Sequence, residues 1–355
     1  MDVAVIGATG DVGRQICVQL IERRITPVAS RLQIVGRAGG RSGQAAHGLR
    51  ADLIDAYAEH APLIDVALHP SEVVADVIVM AAGATVPAAP GGTVDRKALA
   101  ARNIEVFRSY ATELALNGAG HEVVIVVSNP VELGVKVFAD ILGRHRVIGM
   151  GAWLDTLRFR REIATSLGVR RQSVGGFVVG QHGDESVPLW SSVRITGQTA
   201  QERRRTLTTL RGDRTLDGFA TEIEHAKEWL SSMAATDIAA AFAAIEDWPP
   251  DLRMAARPWL THQSGAKTAS GTAGAAVDLV DTIFDGRDVV VAGQVSLDGE
   301  TEVGGESVHG VIGMPIVLGP EGWTRVMLDP LEPDETRRLQ RSIARVSEIL
   351  AGWEP

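Results

Sequence analysis

The chain contains one cysteine among 355 residues, Cys17, so no intramolecular disulfide can form. Its place among apolar residues of a helical pattern predicts an inert core thiol rather than a nucleophile. The nine histidines show no H-x-H or H-E-x-x-H spacing, which predicts that no metal is bound. Long apolar runs are missing too, so no membrane span or membrane partner is expected. A strand pattern begins at residue 3, leaving no room for a secretory signal, and a cytoplasmic location is expected. Cations are in the minority: the net charge is −9, and binding to nucleic-acid phosphates needs clustered positive charge. The run Arg203-Arg204-Arg205 is too short to reverse that, so no nucleic-acid partner is expected.

What is present starts at the N-terminus. The apolar run Val3-Ala4-Val5-Ile6 ends in Gly7-Ala8-Thr9-Gly10-Asp11-Val12-Gly13, after which Ile16 and Leu20 fall at helical spacing. That is a strand, a glycine turn and a helix, the arrangement that cradles a dinucleotide. Gly7 permits the tight turn, Gly10 lets the backbone approach a pyrophosphate, and Gly13 allows close helix packing. Short apolar runs at Val3, Leu32, Val66, Val77, Val123 and Val147 alternate with helical patterns such as 99–116 and 133–142. The expectation is an α/β fold with a Rossmann-type, doubly wound parallel sheet over residues 1–150. A chain this long exceeds one core, so a second, α+β catalytic domain is expected over 151–355. Its end, 332–350, reads as a helix with Leu339, Ile343, Val346 and Leu350 on one side.

Two further segments carry chemistry. In Leu154-Asp155-Thr156-Leu157-Arg158-Phe159 an acid and an arginine three apart share one helix face. In Val179-Gly180-Gln181-His182-Gly183-Asp184 a histidine follows an apolar run. An imidazole exchanges protons near neutral pH, a carboxylate fixes its tautomer, and a guanidinium grips a carboxylate through two bonds. The chemistry indicated is reversible reduction of a 2-oxo acid.

With these motifs in order, the chain resembles the lactate/malate dehydrogenase family, nearer the malate branch at its glycine turn. Ala81-Ala82-Gly83, Val127-Ser128-Asn129-Pro130-Val131 and Gly313-Met314-Pro315 extend the likeness. The resemblance implies His182 as general acid/base, Asp155 as its orienter and Arg158 as the clamp on the substrate's C1 carboxylate. Asn129 would serve the nicotinamide or substrate, and Thr272 would be a pocket hydroxyl. The implied coenzyme contacts are Gly7, Gly10, Asp11, Val12, Gly13, Gly36, Arg37, Arg41, Ser42, Ala82, Gly83, Asn103, Val127 and Asn129. Family enzymes also close a loop whose arginine polarises the substrate carbonyl, seven residues before a helical asparagine. Arg96 stands in that relation to Asn103, whereas an alignment anchored on Pro90-Gly91 puts Val94 there and leaves no arginine. The resemblance further implies an (S)-2-hydroxy acid product and a homodimer or homotetramer.

The chain departs from the family in three places. The segment 84–95 contains no Lys or Arg, although malate enzymes carry a second arginine on this loop. Without it, the distal carboxylate of oxaloacetate would be buried unpaired. The second strand, Leu32-Gln33-Ile34-Val35, ends in Gly36-Arg37-Ala38-Gly39-Gly40-Arg41-Ser42 with no carboxylate for the ribose hydroxyls. Two cations and a hydroxyl favour NADP over NAD there. Finally, 197–265 reads as a helical insertion, with helical stretches near 219–230 and 234–245 and with Arg253, Arg257 and His262 beyond them. It either adds substrate ligands or covers the surface or a subunit contact. Three readings therefore stand: an NADP-linked 2-hydroxy acid dehydrogenase, an ordinary malate dehydrogenase with an insertion arginine on the distal carboxylate, and a non-catalytic dinucleotide-binding protein.

Overall fold

The computed structural model describes residues 1–84 and 96–353, with 96–99 as backbone only. The first half alternates strand and helix: β1 (Val3–Ile6), α1 (Asp11–Glu22), β2 (Arg31–Val35), α2 (Arg41–Ala56), β3 (Leu63–Ala67), β4 (Val77–Met80), α3 (Arg96–Asn117), β5 (Val123–Val126), α4 (Val131–Leu142) and β6 (Val147–Gly149). Every residue of β1, β4 and β5 is buried. Continuous apolar strands are what a parallel sheet covered on both faces requires. The strands run parallel in the order β3-β2-β1-β4-β5-β6, so the order reverses beside β1. A ligand crevice is expected at that reversal, beyond the carboxyl ends of the strands.

The second half comprises α5 (Gly151–Leu167), β7 (Val174–Gly180), β8 (Ser186–Ile195), α6 (Ala200–Arg211), α7 (Phe219–Ala234), α8 (Ile238–Ala244), α9 (Pro250–Gln263), α10 (Ala269–Asp285), β9 (Val289–Val303), β10 (Glu306–Gly319), β11 (Gly322–Val326) and α11 (Pro333–Ala351). Strands β9, β10, β7 and β8 are antiparallel neighbours, and β11 pairs with β10. One feature was not foreseen from the sequence. Strand β6 pairs antiparallel with β9 through Gly149 and Gln294, so the described strands form one eleven-stranded sheet running through both halves. Gln294 is fully buried and its Oε1 accepts the Ala152 amide at 3.0 Å, which pins the start of α5 to the sheet.

The 197–265 stretch folds as four helices rather than the two read from the pattern. Pro250 occupies the first turn of α9, where its missing N–H costs nothing. Leu230, Ala241, Ile245, Ala256 and Leu260 form a small core of their own. Met254 of α9 joins Phe159 and Ile163 of α5 and Trp190 of β8, so the insertion is packed along the helix that carries Asp155 and Arg158.

Candidate active site

Strand β7 delivers His182 to a loop held by three elements. The Gln181 amide donates to Ser342 Oγ of α11 at 2.9 Å, and the His182 amide donates to Glu132 Oε1 of α4 at 2.7 Å. Arg338 of α11 donates to the Asp184 carbonyl at 2.6 Å and pairs with Glu185 at 2.8 Å. Lys227 of α7 pairs with Asp184. The imidazole lies against the first residue of α5. A Cβ on Gly151 would fall 2.5 Å from His182 Cγ, so only glycine admits the ring there.

Asp155 then bridges the two groups the sequence singles out. Its Oδ2 lies 2.7 Å from His182 Nδ1, and its Oδ1 accepts from Arg158 Nη1 at 3.1 Å. The helical spacing of 155 and 158 brings both onto the face that meets the β7 loop. An ionised Asp155 makes Nδ1 a donor, which leaves Nε2 as the atom able to exchange a proton with a substrate. Burial by itself would depress the His182 imidazolium. The Asp155 carboxylate, its hydrogen bond and the charge of Glu132 outweigh that and hold His182 above the ordinary histidine range. Burial pushes Asp155 up, but His182 and Arg158 hold it below the usual carboxylate range. Burial also lowers Arg158, with Asp155 opposing.

The residues expected to meet the coenzyme lie around the strand ends. Gly7 turns with φ +81°, and a Cβ on it would sit 2.7 Å from Ala82 Cα. A Cβ on Gly13 would collide with the Gly7 carbonyl. Gly10, which caps α1, is exposed and meets only the Gly7 carbonyl, at 3.4 Å, leaving its outer side open to a pyrophosphate. These residues fit a dinucleotide by close approach of backbone rather than by side-chain charge. Asp11 and Val12 open α1, and the Asp11 carboxylate pairs with Lys267. Gly36 closes β2 against the backbone of Ser42, the Arg37 amide donates to Ser42 Oγ at 3.3 Å, and Arg37 and Arg41 are exposed. Val127 continues β5 by donating to the Met80 carbonyl, and Ser128 Oγ donates to the Ala82 carbonyl at 2.6 Å beside Gly83.

Some expected residues are placed differently. Asn103 is fully buried and its amide is spent on backbone. Its Oδ1 accepts the Ala84 amide at 2.7 Å, and its Nδ2 donates to the carbonyls of Ala84 and Asn129, at 3.3 and 2.6 Å. It therefore fastens the 84 and 129 turns together. Asn129 itself is exposed. Thr272 is half-buried on the first turn of α10, which packs against α5. The Arg96 side chain, and segment 85–95 with Pro90, Gly91 and Val94, lie outside the described residues.

The insertion arginines are occupied elsewhere. Arg253 is 4% exposed and Glu162 is 1% exposed. Arg253 pairs with Glu162 at 3.2 Å, and Arg257 pairs with Glu162 at 2.9 Å and with Glu246 at 2.6 Å. Glu162 is two helical turns beyond Asp155 on the same face of α5. Both guanidiniums are thus already paired with acids, which weighs against their holding a distal carboxylate.

Sequence reasoning missed Glu132, Gly151, Ser342 and Arg338. The signal for Glu132 was present: it directly follows Asn129-Pro130-Val131 and is the lone acid in the first two turns of a mostly apolar helix. Among the described residues no group of three His, Cys, Asp or Glu side chains could hold a metal, and no helix is long and apolar enough to cross a membrane.

Comparison with known proteins identifies the family. Residues 1–149 match the lactate/malate dehydrogenase NAD binding domain, and residues 152–262 match the lactate/malate dehydrogenase alpha/beta C-terminal domain. L-lactate dehydrogenase of Mycoplasma capricolum subsp. capricolum is 39% identical over 126 residues, 35% of this chain and 38% of that protein. The match therefore spans well under half of that relative. L-lactate dehydrogenase of Staphylococcus saprophyticus is 30% identical over 277 residues, 78% of this chain and 74% of that protein. The Gloeobacter violaceus L-lactate dehydrogenase is 29% identical over 283 residues, 78% and 72% of the two chains. Matched in both halves, and to such relatives over most of its length, the chain belongs to the lactate/malate dehydrogenase family of oxidoreductases.

Proposed function

We propose that the protein is a 2-hydroxy acid dehydrogenase that prefers NADP and interconverts a 2-oxo acid with its (S)-2-hydroxy acid. The observation that carries this reading is the Asp155 carboxylate, which holds His182 on one oxygen and Arg158 on the other. A protein that only stored a dinucleotide has no physical need for a buried acid that orients both a proton donor and a cation.

When bound, the nicotinamide supplies or accepts the hydride. The protein does the rest. Arg158 spends one nitrogen on Asp155, and the remainder of its fork has no partner among the described residues, leaving donors to grip the C1 carboxylate. His182, protonated, gives its Nε2 proton to the C2 oxygen during reduction and takes it back during oxidation. Asn129 and Thr272 are assigned to the same pocket from the family resemblance alone. Arg96 is assigned to polarising the carbonyl from its spacing to Asn103 in the sequence.

Two features support the finer choices. The Gly36–Ser42 turn offers Arg37, Arg41 and the Ser42 hydroxyl where NAD enzymes place a carboxylate, which favours a 2′-phosphate. With no cation between residues 84 and 95, and with Arg253 and Arg257 paired to acids, the substrate's far end is bulkier or less acidic than that of oxaloacetate. The test is a panel of 2-oxo acids, oxaloacetate and pyruvate included, scored for absorbance loss with NADPH and with NADH. Consumption of NADPH with a 2-oxo acid at least as good as oxaloacetate is expected. Binding of NADPH with reduction of none of them would leave a non-catalytic dinucleotide-binding protein.

A further inference from the structure

Glu132 is 6% exposed, at the start of α4, and its Oε1 accepts the His182 amide at 2.7 Å. No step in the proton exchange between His182 and the substrate uses it. Such a carboxylate in the interior requires a reason, since burying a charge without compensation is costly. The charges around it supply one. Arg158 and a protonated His182 are two cations, and both lean on the single carboxylate of Asp155. The other acids on the His182 loop are already engaged: Asp184 with Lys227 of α7, and Glu185 with Arg338 of α11. Glu132 is thus the second anion of the site, and with it the quartet is neutral when the imidazole carries its proton. His262, on the last turn of α9, also lies within the electrostatic reach of Arg158, but it is exposed and adds no anion.

Building on the dehydrogenase reading, we propose that Glu132 is a positioning residue for His182. It fixes the loop amide so that the ring stays between Asp155 and Gly151, and it supplies the second negative charge that lets the imidazole hold a proton beside Arg158. Three neighbours share the task. Asp155 sets the ring's tautomer, Gly151 gives it room, and Glu132 sets the height of the loop. The geometry also joins the two ends of the site, because Glu132 lies three residues after Asn129 in the turn that Asn103 fastens. Burial raises the Glu132 carboxyl, with the His182 amide and charge opposing. Its proton and that of His182 are therefore linked: loss of one favours uptake of the other.

The test uses the full chain carrying Glu132→Gln or Glu132→Ala. Glutamine keeps an oxygen for the His182 amide and removes the charge, whereas alanine removes both. Glu132→Ala is expected to lower turnover on the order of 10²-fold, the cost of misplacing a reacting group by about 1 Å, with coenzyme affinity retained. Glu132→Gln should restore most of that turnover while the pH above which reduction fails moves lower. Titration of the His182 ring resonance, assigned by its loss in His182→Asn, reads the same shift without coenzyme or substrate. A His182 titration in Glu132→Gln that coincides with the parent's overturns the proposal, and this holds even if Glu132→Ala does not fold. If the parent reduces no 2-oxo acid, the dehydrogenase reading fails on that assay, and the titration still decides whether Glu132 governs His182.

Discussion

The hydroxyls of Thr9 and Ser42 lie 3.0 Å apart, so the glycine turn after β1 and the arginine-bearing turn after β2 form one continuous edge. A dinucleotide whose pyrophosphate rests on the first turn presents its adenosine ribose to the second. Arg37→Asp is therefore expected to weaken NADPH binding by about 1.5–3 kcal/mol, the worth of a hydrogen bond to a charged group, and to leave NADH binding unchanged or improved. Fluorescence titration of both coenzymes measures it. Equal affinity of the parent for the two would remove the argument.

His182→Asn should cut turnover by roughly 10²–10⁴, the usual contribution of general acid/base catalysis, with NADPH still bound near normally. Retention of most of the turnover would place the proton donor elsewhere.

The direction of the His182 shift fixes a pH dependence. Asp155 and Glu132 hold the folded-state imidazole above its ordinary value despite burial. Reduction needs the protonated ring, so its rate should persist past the ordinary histidine range and fall as pH rises through the elevated value; oxidation should rise over the same interval. Stability follows the same sign, because a raised folded pKa contributes fully below the unfolded value and is lost as pH passes the folded one. Rate profiles in both directions check this, and a reductive rate already falling below the ordinary histidine pKa would contradict it.

Arg253→Ala should destabilise the protein by less than the about 3–5 kcal/mol that leaving a buried charge wholly without a partner costs, because Arg161 also pairs with Glu162. Arg257 still faces Glu162 and can soften the loss. The ratio of oxaloacetate to pyruvate turnover should not change. Denaturant unfolding and two-substrate kinetics separate the effects, and selective loss of oxaloacetate activity would return Arg253 to the substrate pocket.

Burial pushes the Cys17 thiol up to about 12. Native protein should resist thiol reagents at neutral pH and react only on unfolding, so the labelling rate becomes a clock for opening of the α1 region. Rapid labelling of fully native protein would contradict that.

The parts of this molecule that the sequence disclosed are those written in local pattern. Runs such as Val3–Ile6 and Val123–Val126 read as strands because burial on both faces leaves them wholly apolar. Asp155 and Arg158 read as a pair because helical spacing alone sets them on one face. Helix α6 escaped notice because it is mostly polar, with Arg203 to Arg205 inside it and only Leu207 and Leu210 as large apolar residues, although the Thr199–Glu202 capping box announces its start. Glu132 and His182 are fifty residues apart and meet through an amide, which leaves no periodic trace. The environments of Asn103 and Arg253 were hidden for a related reason: residue type and spacing do not show that the Asn103 amide is bonded to backbone or that Arg253 faces Glu162.

The junction of Gly149 with Gln294 has a mechanical meaning. A chain folded as two lobes on a linker can melt in two stages and can open between the lobes; here the coenzyme half and the catalytic half hang on one ladder of strands, and Gln294 ties Ala152 to it. The boundary near residue 150 divides labour and not stability. Calorimetry of the monomeric unit should record a single cooperative melt. The glycine turn after β1 and the loop that carries His182 after β7 are therefore both anchored to the same sheet.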